Sequence, residues 1–185
     1  MIDEVLLETD SKMQKTVDAV ERELAIIRTG RAMSALVEYI KVDYHGVPTS
    51  LNQLASISVP EARLLLIQPW DRTSVASIEK AILKSDLGLR PVSDASLIRI
   101  AVPPLSEQRR KELIKIVRKR LEDGRIALRN LRRQSIQKLR EMEKNKQISQ
   151  DQLSIAEEQL QKISGGFIER VDKLGQDKEA EIEEF

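Results

Sequence analysis

Arginine side chains are concentrated in one segment of this chain, between residues 118 and 140. Within it, the stretch RIALRNLRRQ (125–134) alternates arginines with Ile126, Leu128 and Leu131. On a helix with about 100° per residue, five arginines fall within about 60° of Arg118: Arg125, Arg129, Arg132, Arg133 and Arg140. Planar guanidinium groups can hold phosphate oxygens through two parallel hydrogen bonds. This arginine stripe therefore predicts a surface for a phosphate-bearing partner.

Two other interpretations of the arginine stripe compete with this one. A run of charge is commonly the solvated back of a helix, but such faces usually mix signs and form i, i+4 ion pairs. Glu122 is the one acid inside this stripe. Alternatively, the acidic segment 147–185 would neutralise the stripe inside a helical bundle. The offset of the stripe from the apolar side of its own helix argues against that, because the arginines would have to face inward.

The net charge of +1 conceals a strong segregation of charge along the chain. Residues 107–146 carry fifteen basic and six acidic side chains, whereas residues 147–185 carry four and ten. Such asymmetry indicates an anionic partner. No aromatic residue lies between Trp70 and Phe167, so the stripe offers no platform for stacking bases. We therefore expect contact with the backbone of structured RNA, with log affinity falling at a slope of about −3 to −4 against log salt for ~4–5 phosphates.

Residues for catalysis or metal binding are scarce. The chain has one histidine and no cysteine, and it lacks a phosphate-binding GxxxxGK[ST] loop and an HExxH motif. His45 precedes Gly46 and is expected to be a turn residue, and Trp70 is expected to pack at the end of a strand. We expect no catalytic residues, no metal site and no cofactor.

Three long segments have the apolar spacing of helices, and each needs a partner to cover its apolar seam. The first seam is formed by Leu6, Met13, Val17, Val20, Leu24 and Ile27. The second is formed by Leu113, Val117, Leu121, Gly124, Leu128, Leu131, Ser135, Leu139 and Met142. The third is formed by Leu153, Ala156, Leu160, Ile163, Phe167, Val171 and Leu174. Ser149 and Gln152 predict a capping box at the start of the third helix, and Gly165-Gly166 interrupts it.

Between the first two helices the apolar period changes to two, which indicates strands. Strands are predicted at 40–44, 55–59, 62–67 and 97–102, with a turn at 46–48 and a stop at Pro60. The stretch DRTSVASIEKAILKS (71–85) predicts a short helix. The chain is thus predicted to be α+β: an antiparallel three-helix bundle with an inserted small β/α/β domain, in an L-shaped two-domain architecture.

The predicted bundle domain comprises residues 1–29 and 106–185, and the inserted domain residues 30–105. Two chain connections, near Thr29-Gly30 and Pro103-Pro104-Leu105, would join them as a hinge. The absence of cysteine, of a signal peptide and of an apolar run of ~18 residues predicts a soluble cytoplasmic protein without a membrane segment.

Several strings resemble the ribosome recycling factor family, in order and at matching separations across essentially the whole chain. They are RTGRA (28–32), HGVPTSLNQLASI (45–57), DLGL (86–89), PPLSEQRRKEL (103–113), RNLRR (129–133) and the terminal Phe185. The sequence departs from the usual pattern at His45, Ser50, Arg90 and Ala95, all in the inserted domain.

The resemblance implies a non-enzymatic translation factor, similar in outline to a transfer RNA. Such a factor binds the large ribosomal subunit and works with elongation factor G, which hydrolyses GTP. Together they split the post-termination ribosome and release mRNA and tRNA. The resemblance also implies ribosomal RNA contacts by Arg110, Arg129, Arg132 and Arg133. It implies a hinge formed by Arg28, Thr29, Gly30 and Arg31 with Pro103, Pro104 and Leu105.

One alternative from a different class remains open on the residues: a coiled-coil adaptor that pairs its seams with a partner chain. An adaptor would self-associate or bind peptides, whereas a recycling factor would be monomeric and would sediment with large ribosomal subunits.

Overall fold

Three long helices form the first of two compact units. The computed structural model describes residues 1–184, so Phe185 lies outside the described residues. Helix α1 spans Ile2–Ala25, α3 spans Glu107–Lys144 and α4 spans Gln150–Glu184, while the short helix α2, Val75–Lys84, belongs to the second unit. The α+β class predicted from the sequence, with long helices and a small β domain, is confirmed.

Ion pairs between α1 and α3 show that these helices run antiparallel. Lys138 Nζ lies 3.1 Å from a Glu8 carboxylate oxygen, and Arg120 Nη1 lies 3.6 Å from Glu23 at the other end of the pair. Lys12 also donates to Glu8, at 2.7 Å. The hydrogen bonds from Lys12 and Lys138, together with their charges, lower the pKa of the Glu8 carboxyl to about 2.

The apolar seams meet in the interior of the bundle, with two changes from the predicted seam of α1. Val5 and Thr9 are buried where the sequence predicted Leu6, and Ile27 lies beyond the end of the helix. The Thr9 hydroxyl donates to the Val5 carbonyl at 2.6 Å and lies 2.6 Å from the Ser135 hydroxyl. Thr9 is therefore tolerated in the core because its polar atom is satisfied.

Two buried glycines let the helices approach closely. A Cβ on Gly124 of α3 would lie 2.7 Å from Val20 Cγ2, and a Cβ on Gly175 of α4 would overlap Leu121 Cδ1. The Gly165-Gly166 pair is different: α4 continues through it, and an added Cβ at either position would meet nothing within 4 Å.

The predicted capping box at the start of α4 is confirmed. The Gln152 backbone N–H donates to the Ser149 hydroxyl at 3.2 Å, and the Ser149 N–H donates to the Gln152 side-chain oxygen at 2.9 Å. Two N–H groups at the start of the helix are thereby satisfied.

The second unit, residues 29–106, contains α2 and six strands. Strands β1 (Lys41–Tyr44) and β2 (Val47–Ser50) form a hairpin. Strands β3 (Ala55–Glu61), β4 (Leu64–Pro69), β5 (Pro91–Ser93) and β6 (Ile98–Ala101) form an antiparallel sheet in the order β3-β4-β6-β5.

The strands differ from the sequence prediction in three respects. The hairpin turn is at His45-Gly46, where φ is 52° and 81°, so Pro48 lies in β2 instead of in the turn. Strand β3 continues past Pro60 to Glu61, which is possible because β3 is an edge strand that need not donate there. Strands β2 and β5 were not predicted.

One face of the four-stranded sheet is buried. Helix α2 contributes Ile78 and Ile82 to a core with the inward residues Leu65, Ile67, Ile98 and Ile100. The opposite face carries exposed side chains, among them Ser56, Gln68 and Arg99. The sheet is thus half-buried, as is usual for antiparallel sheets.

Candidate nucleic-acid interface

Helix α3 turns its apolar seam into the bundle and its arginines away from it. The buried positions recur at helical spacing from Leu113 to Leu139. The arginine stripe lies on the remaining surface, where its side chains range from half-buried to exposed. The partners of each guanidinium then decide which of them remain available to an anion.

Arg118 is held by a carboxylate of α4. Its Nε donates to Glu179 Oε1 at 2.9 Å and its Nη2 donates to Oε2 at 3.1 Å, a two-pronged arrangement. The hydrogen bond to Glu179 and the charge of that carboxylate raise the pKa of Arg118.

Arg125 is the most enclosed arginine of these ion pairs, with 25% of its side chain exposed. Its Nε lies 2.8 Å and its Nη2 2.6 Å from Asp172 Oδ1 on α4, and its Nη1 lies 3.3 Å from Glu122. The hydrogen bond to Asp172 raises the pKa of Arg125 against the opposing effect of partial burial.

The sequence argument against neutralisation of the stripe by the acidic third helix is wrong for three of its arginines. Glu179, Asp172 and Glu157, the last 2.9 Å from Arg140 Nε, all lie on α4. The stripe does face away from the seam, but arginine side chains are long enough to bend across the edge of a helix to its neighbour. The ten acids of segment 147–185 were the signal in the sequence for this neutralisation.

Arg129, Arg132 and Arg133 form a group with little compensation, which we call the arginine patch. With Ile136, Gln137 and Arg140 they line a shallow depression on α3. Arg132 Nη1 donates to the neutral side-chain oxygen of Gln161 at 2.7 Å. Arg129 has one carboxylate contact, at 3.3 Å with Glu122. Arg133 is exposed and has no hydrogen bond or ion pair to any residue between 1 and 184.

Arg110 lies near the start of α3 and is half-buried. Its Nε is buried and has no hydrogen-bond partner within the described part of the chain. An unpaired buried donor is costly. Arg110 differs in this respect from Arg118 and Arg125, whose Nε atoms donate to carboxylates.

The seven predicted hinge residues lie where the chain passes between the two units. Arg28 ends the first segment of the bundle unit, and Thr29 begins the second unit. Gly30 has φ of 79°, a left-handed conformation that glycine adopts without strain; Arg31 follows it. On the return connection Pro103 and Pro104 are exposed and Leu105 is half-buried.

Trp70 and His45 are the other residues singled out in the sequence. The prediction that Trp70 packs at a strand end is wrong, since 68% of its surface is exposed. His45 is in the hairpin turn, with its ring centroid 4.4 Å from that of Tyr44. Among residues 1–184, no three His, Cys, Asp or Glu side chains are grouped so that they could hold a metal ion. No described helix is long and apolar enough to cross a membrane.

Curated relatives resemble this chain over its full length. A ribosome-recycling factor of Dehalococcoides mccartyi is 53% identical over 184 residues, with 100% of each chain covered. The ribosome-recycling factor of Bacillus subtilis strain 168 is 49% identical, again with 100% of each chain covered.

Two solved structures are also similar. A solution structure of the ribosome recycling factor has a TM-score of 0.68 and 39% identity, covering 100% of this chain and 98% of that one. A second gives models for the T. thermophilus ribosome recycling factor and the E. coli elongation factor G bound to the E. coli post-termination complex. Its TM-score is 0.62 at 43% identity, with 98% of both chains covered.

The fold is shared with these solved structures: a bundle of long helices with an inserted β unit. It defines a factor of protein synthesis that acts on ribosomes. The family model for ribosome recycling factor matches residues 20–182. The chain belongs to the ribosome recycling factor family.

Proposed function

We propose that this protein recycles ribosomes by binding ribosomal RNA of the large subunit through α3. With elongation factor G and GTP, it then splits the post-termination ribosome into subunits, releasing mRNA and tRNA. It acts as a monomer in the cytoplasm, and the chemical step, GTP hydrolysis, belongs to the partner. The similar structure that holds elongation factor G and a post-termination complex supports this choice of partners.

The arginine patch is the observation that carries the proposal. Its three guanidiniums have one carboxylate partner among them, at 3.3 Å from Arg129, whereas Arg118 and Arg125 are held by α4. Positive charge is therefore available at the patch, where planar groups can engage successive phosphates.

Among the six predicted RNA-binding residues, the contacts support an order. We assign primary phosphate contacts to Arg129, Arg132 and Arg133. Arg110 serves as an additional contact at the start of α3. Arg118 and Arg125 act mainly by fixing α4 against α3.

Sedimentation with large subunits tests the binding site. Arg132→Ala, alone or combined with Arg129→Ala, should weaken binding while leaving the thermal unfolding midpoint nearly unchanged, because these side chains contribute little to the core. Wild-type binding should also weaken as salt rises. Binding that does not respond to salt would exclude a phosphate-contact mechanism.

Subunit splitting tests the reaction as a whole. Post-termination ribosomes should separate into subunits only when the protein, elongation factor G and GTP are all present. Omission of any one should leave the ribosomes intact in a sucrose gradient. Splitting by the protein and GTP without elongation factor G would overturn the proposed division of labour.

The hinge is tested separately from binding. Gly30→Ala should restrict the connection, since φ of 79° is unfavourable for alanine. We expect splitting to fall more than ribosome affinity. The opposite order would reject a hinge role for Arg28 to Arg31 and Pro103 to Leu105.

A further inference from the structure

The sole tryptophan of the chain is presented to solvent. Trp70 is 68% exposed, although a side chain of this size is usually mostly buried. An indole this exposed contributes little to the core, so a role in stability does not explain a tryptophan at this position. An exposed indole is a candidate surface for stacking or for insertion into a partner.

The backbone on either side of Trp70 is fixed. Its N–H donates to the Leu54 carbonyl at 3.1 Å. The next residue, Asp71, accepts from the Thr73 N–H at 2.9 Å and from the Tyr44 hydroxyl at 3.1 Å. The indole therefore projects from a rigid position, and a ligand would not have to order the loop before binding.

Trp70 continues the open face of the four-stranded sheet. Along β4, Leu65, Ile67 and Pro69 are buried, so alternation places Gln68 and Trp70 on the other face. Ser56 lies opposite Gln68 in the register of β3 and β4. Polar side chains next to a flat aromatic group provide hydrogen-bonding groups at the edge of whatever stacks on the indole.

Two guanidiniums accompany this face. Arg72 shares a shallow depression with Trp70, Gln68, Ser56 and Ser96, and Arg99 is exposed on the neighbouring strand β6. Neither arginine has a hydrogen bond or ion pair to any residue in the range 1–184. Two acids are near these arginines in sequence. Asp71 accepts from the Thr73 N–H at 2.9 Å, and Asp94 accepts from the Ser96 and Leu97 N–H groups at 3.0 and 2.9 Å. Neither carboxylate forms an ion pair with Arg72 or Arg99, so the N–H groups of both guanidiniums are open to phosphate oxygens.

We propose that this open sheet face binds an unpaired nucleotide of RNA. The base stacks on Trp70, its edge meets Gln68 and Ser56, and Arg72 and Arg99 contact the adjoining phosphates. The combination of an aromatic platform, amide and hydroxyl groups and free guanidiniums is the chemistry by which single-stranded RNA is recognised on sheets. A protein partner would need an apolar pocket for an anchor residue. The depression beside Trp70 is instead lined by serine and glutamine side chains.

This site is distinct from the arginine patch of α3, which lacks aromatic residues and fits paired RNA. The choice of RNA as the polymer rests on the proposed function, but the stacking itself is measurable without ribosomes. Loss of the α3 contacts and loss of the Trp70 contact can therefore be observed independently.

Fluorescence provides a direct probe because Trp70 is the only tryptophan. The full-length protein is titrated with an unstructured ten-nucleotide RNA and, in parallel, with polyphosphate, which carries charge without bases. We expect RNA to quench the emission in a saturable manner and polyphosphate to leave it unchanged. Equal responses to both, or none to RNA, would overturn the proposal.

Variants are compared by the anisotropy of a labelled oligonucleotide. Trp70→Leu should weaken binding about fivefold to a hundredfold, the range for loss of one stacked base. Trp70→Phe should recover part of the affinity, and Arg72→Ala should weaken binding at low salt. Tyr39→Leu is the matched control, since Tyr39 is a 72% exposed aromatic residue of the same unit, and it should bind as wild type. A Trp70→Leu protein with unchanged affinity would refute the site.

Two further experiments distinguish RNA binding at Trp70 from RNA binding at α3 and from binding of a protein partner. Arg132→Ala combined with Arg133→Ala should keep the RNA-induced quenching while losing ribosome binding, whereas failure of ribosome binding in every protein would refute the proposed function alone. A change in Trp70 emission on adding elongation factor G, with none on adding RNA, would instead assign the face to a protein partner and reject the proposal.

Discussion

Replacing Arg133 and replacing Arg125 should have opposite consequences, although both arginines belong to the same stripe. Arg133 is exposed and unpaired within residues 1–184, so Arg133→Ala should change the free energy of unfolding by no more than about 0.5 kcal/mol. It should remove one phosphate contact and reduce the slope of log affinity against log salt by about 0.7 to 0.9.

Arg125→Ala should instead affect folding. Its guanidinium is three-quarters covered and lies within 3.3 Å of oxygens of both Asp172 and Glu122. Hydrogen bonds to charged groups contribute about 1.5–3 kcal/mol, and solvent screening reduces this at a partly exposed site. We expect a loss of about 1 to 2 kcal/mol in the free energy of unfolding, with the salt slope for RNA binding almost unchanged.

Circular dichroism at 222 nm during urea unfolding is the suitable stability assay. Most helical residues lie in α1, α3 and α4, so this signal reports the bundle, whereas Trp70 lies in the other unit. RNA affinity is measured by sedimentation with large subunits at several potassium chloride concentrations. Asp172→Asn is the matched control: it should also destabilise the bundle, yet it should not weaken RNA binding. An equal reduction of the salt slope by Arg125→Ala and Arg133→Ala would show that Arg125 also contacts phosphate. The distinction between arginines paired with α4 and arginines open to RNA would then be incorrect.

Three other outcomes follow from the helical contacts. Gly165→Ala and Gly166→Ala should each raise the free energy of unfolding by up to about 1 kcal/mol, because an added Cβ has open space and alanine favours the helix; urea denaturation measures this. Gly175→Ala should instead destabilise the bundle by about 1–3 kcal/mol through overpacking, and a stabilised variant would contradict the close approach. Glu8→Gln should be less stable than wild type at neutral pH, because the lowered pKa of about 2 means that the carboxylate stabilises the folded state. That difference should shrink as pH falls from about 4.5 to 2, and a constant difference across that window would exclude stabilisation by the ion pairs of Glu8 with Lys12 and Lys138.

The bundle could be predicted because its information is local and periodic. Apolar residues recur at helical spacing, and the start of α4 is specified by Ser149 and Gln152 through bonds three residues apart. The two added strands could not be found in the same way. Strands β2 and β5 each contain a single valine, so no apolar period of two appears in either. Each also contains a proline, which usually argues against a strand.

The partners of the arginine stripe depend on information that a single helix does not carry. A helical wheel gives the direction in which Arg118 leaves α3, but not the position of Glu179, which lies 61 residues later in the chain. Trp70 was assigned wrongly for a related reason. Proximity to a buried strand suggested packing, whereas the alternation of β4 places residue 70 on its outer face.

For the proposed RNA-binding role, the carboxylates of α4 would provide a means of selecting among RNAs. Glu179, Asp172 and Glu157 occupy the same guanidinium hydrogen bonds that a phosphate would use, so they act as permanent competitors built into the chain. An arbitrary RNA must displace them to use the whole stripe, and it otherwise finds only the three arginines of the patch. We therefore expect weak binding to most cellular RNA. Tight binding should require an RNA surface whose shape matches the patch without contacts to the paired arginines.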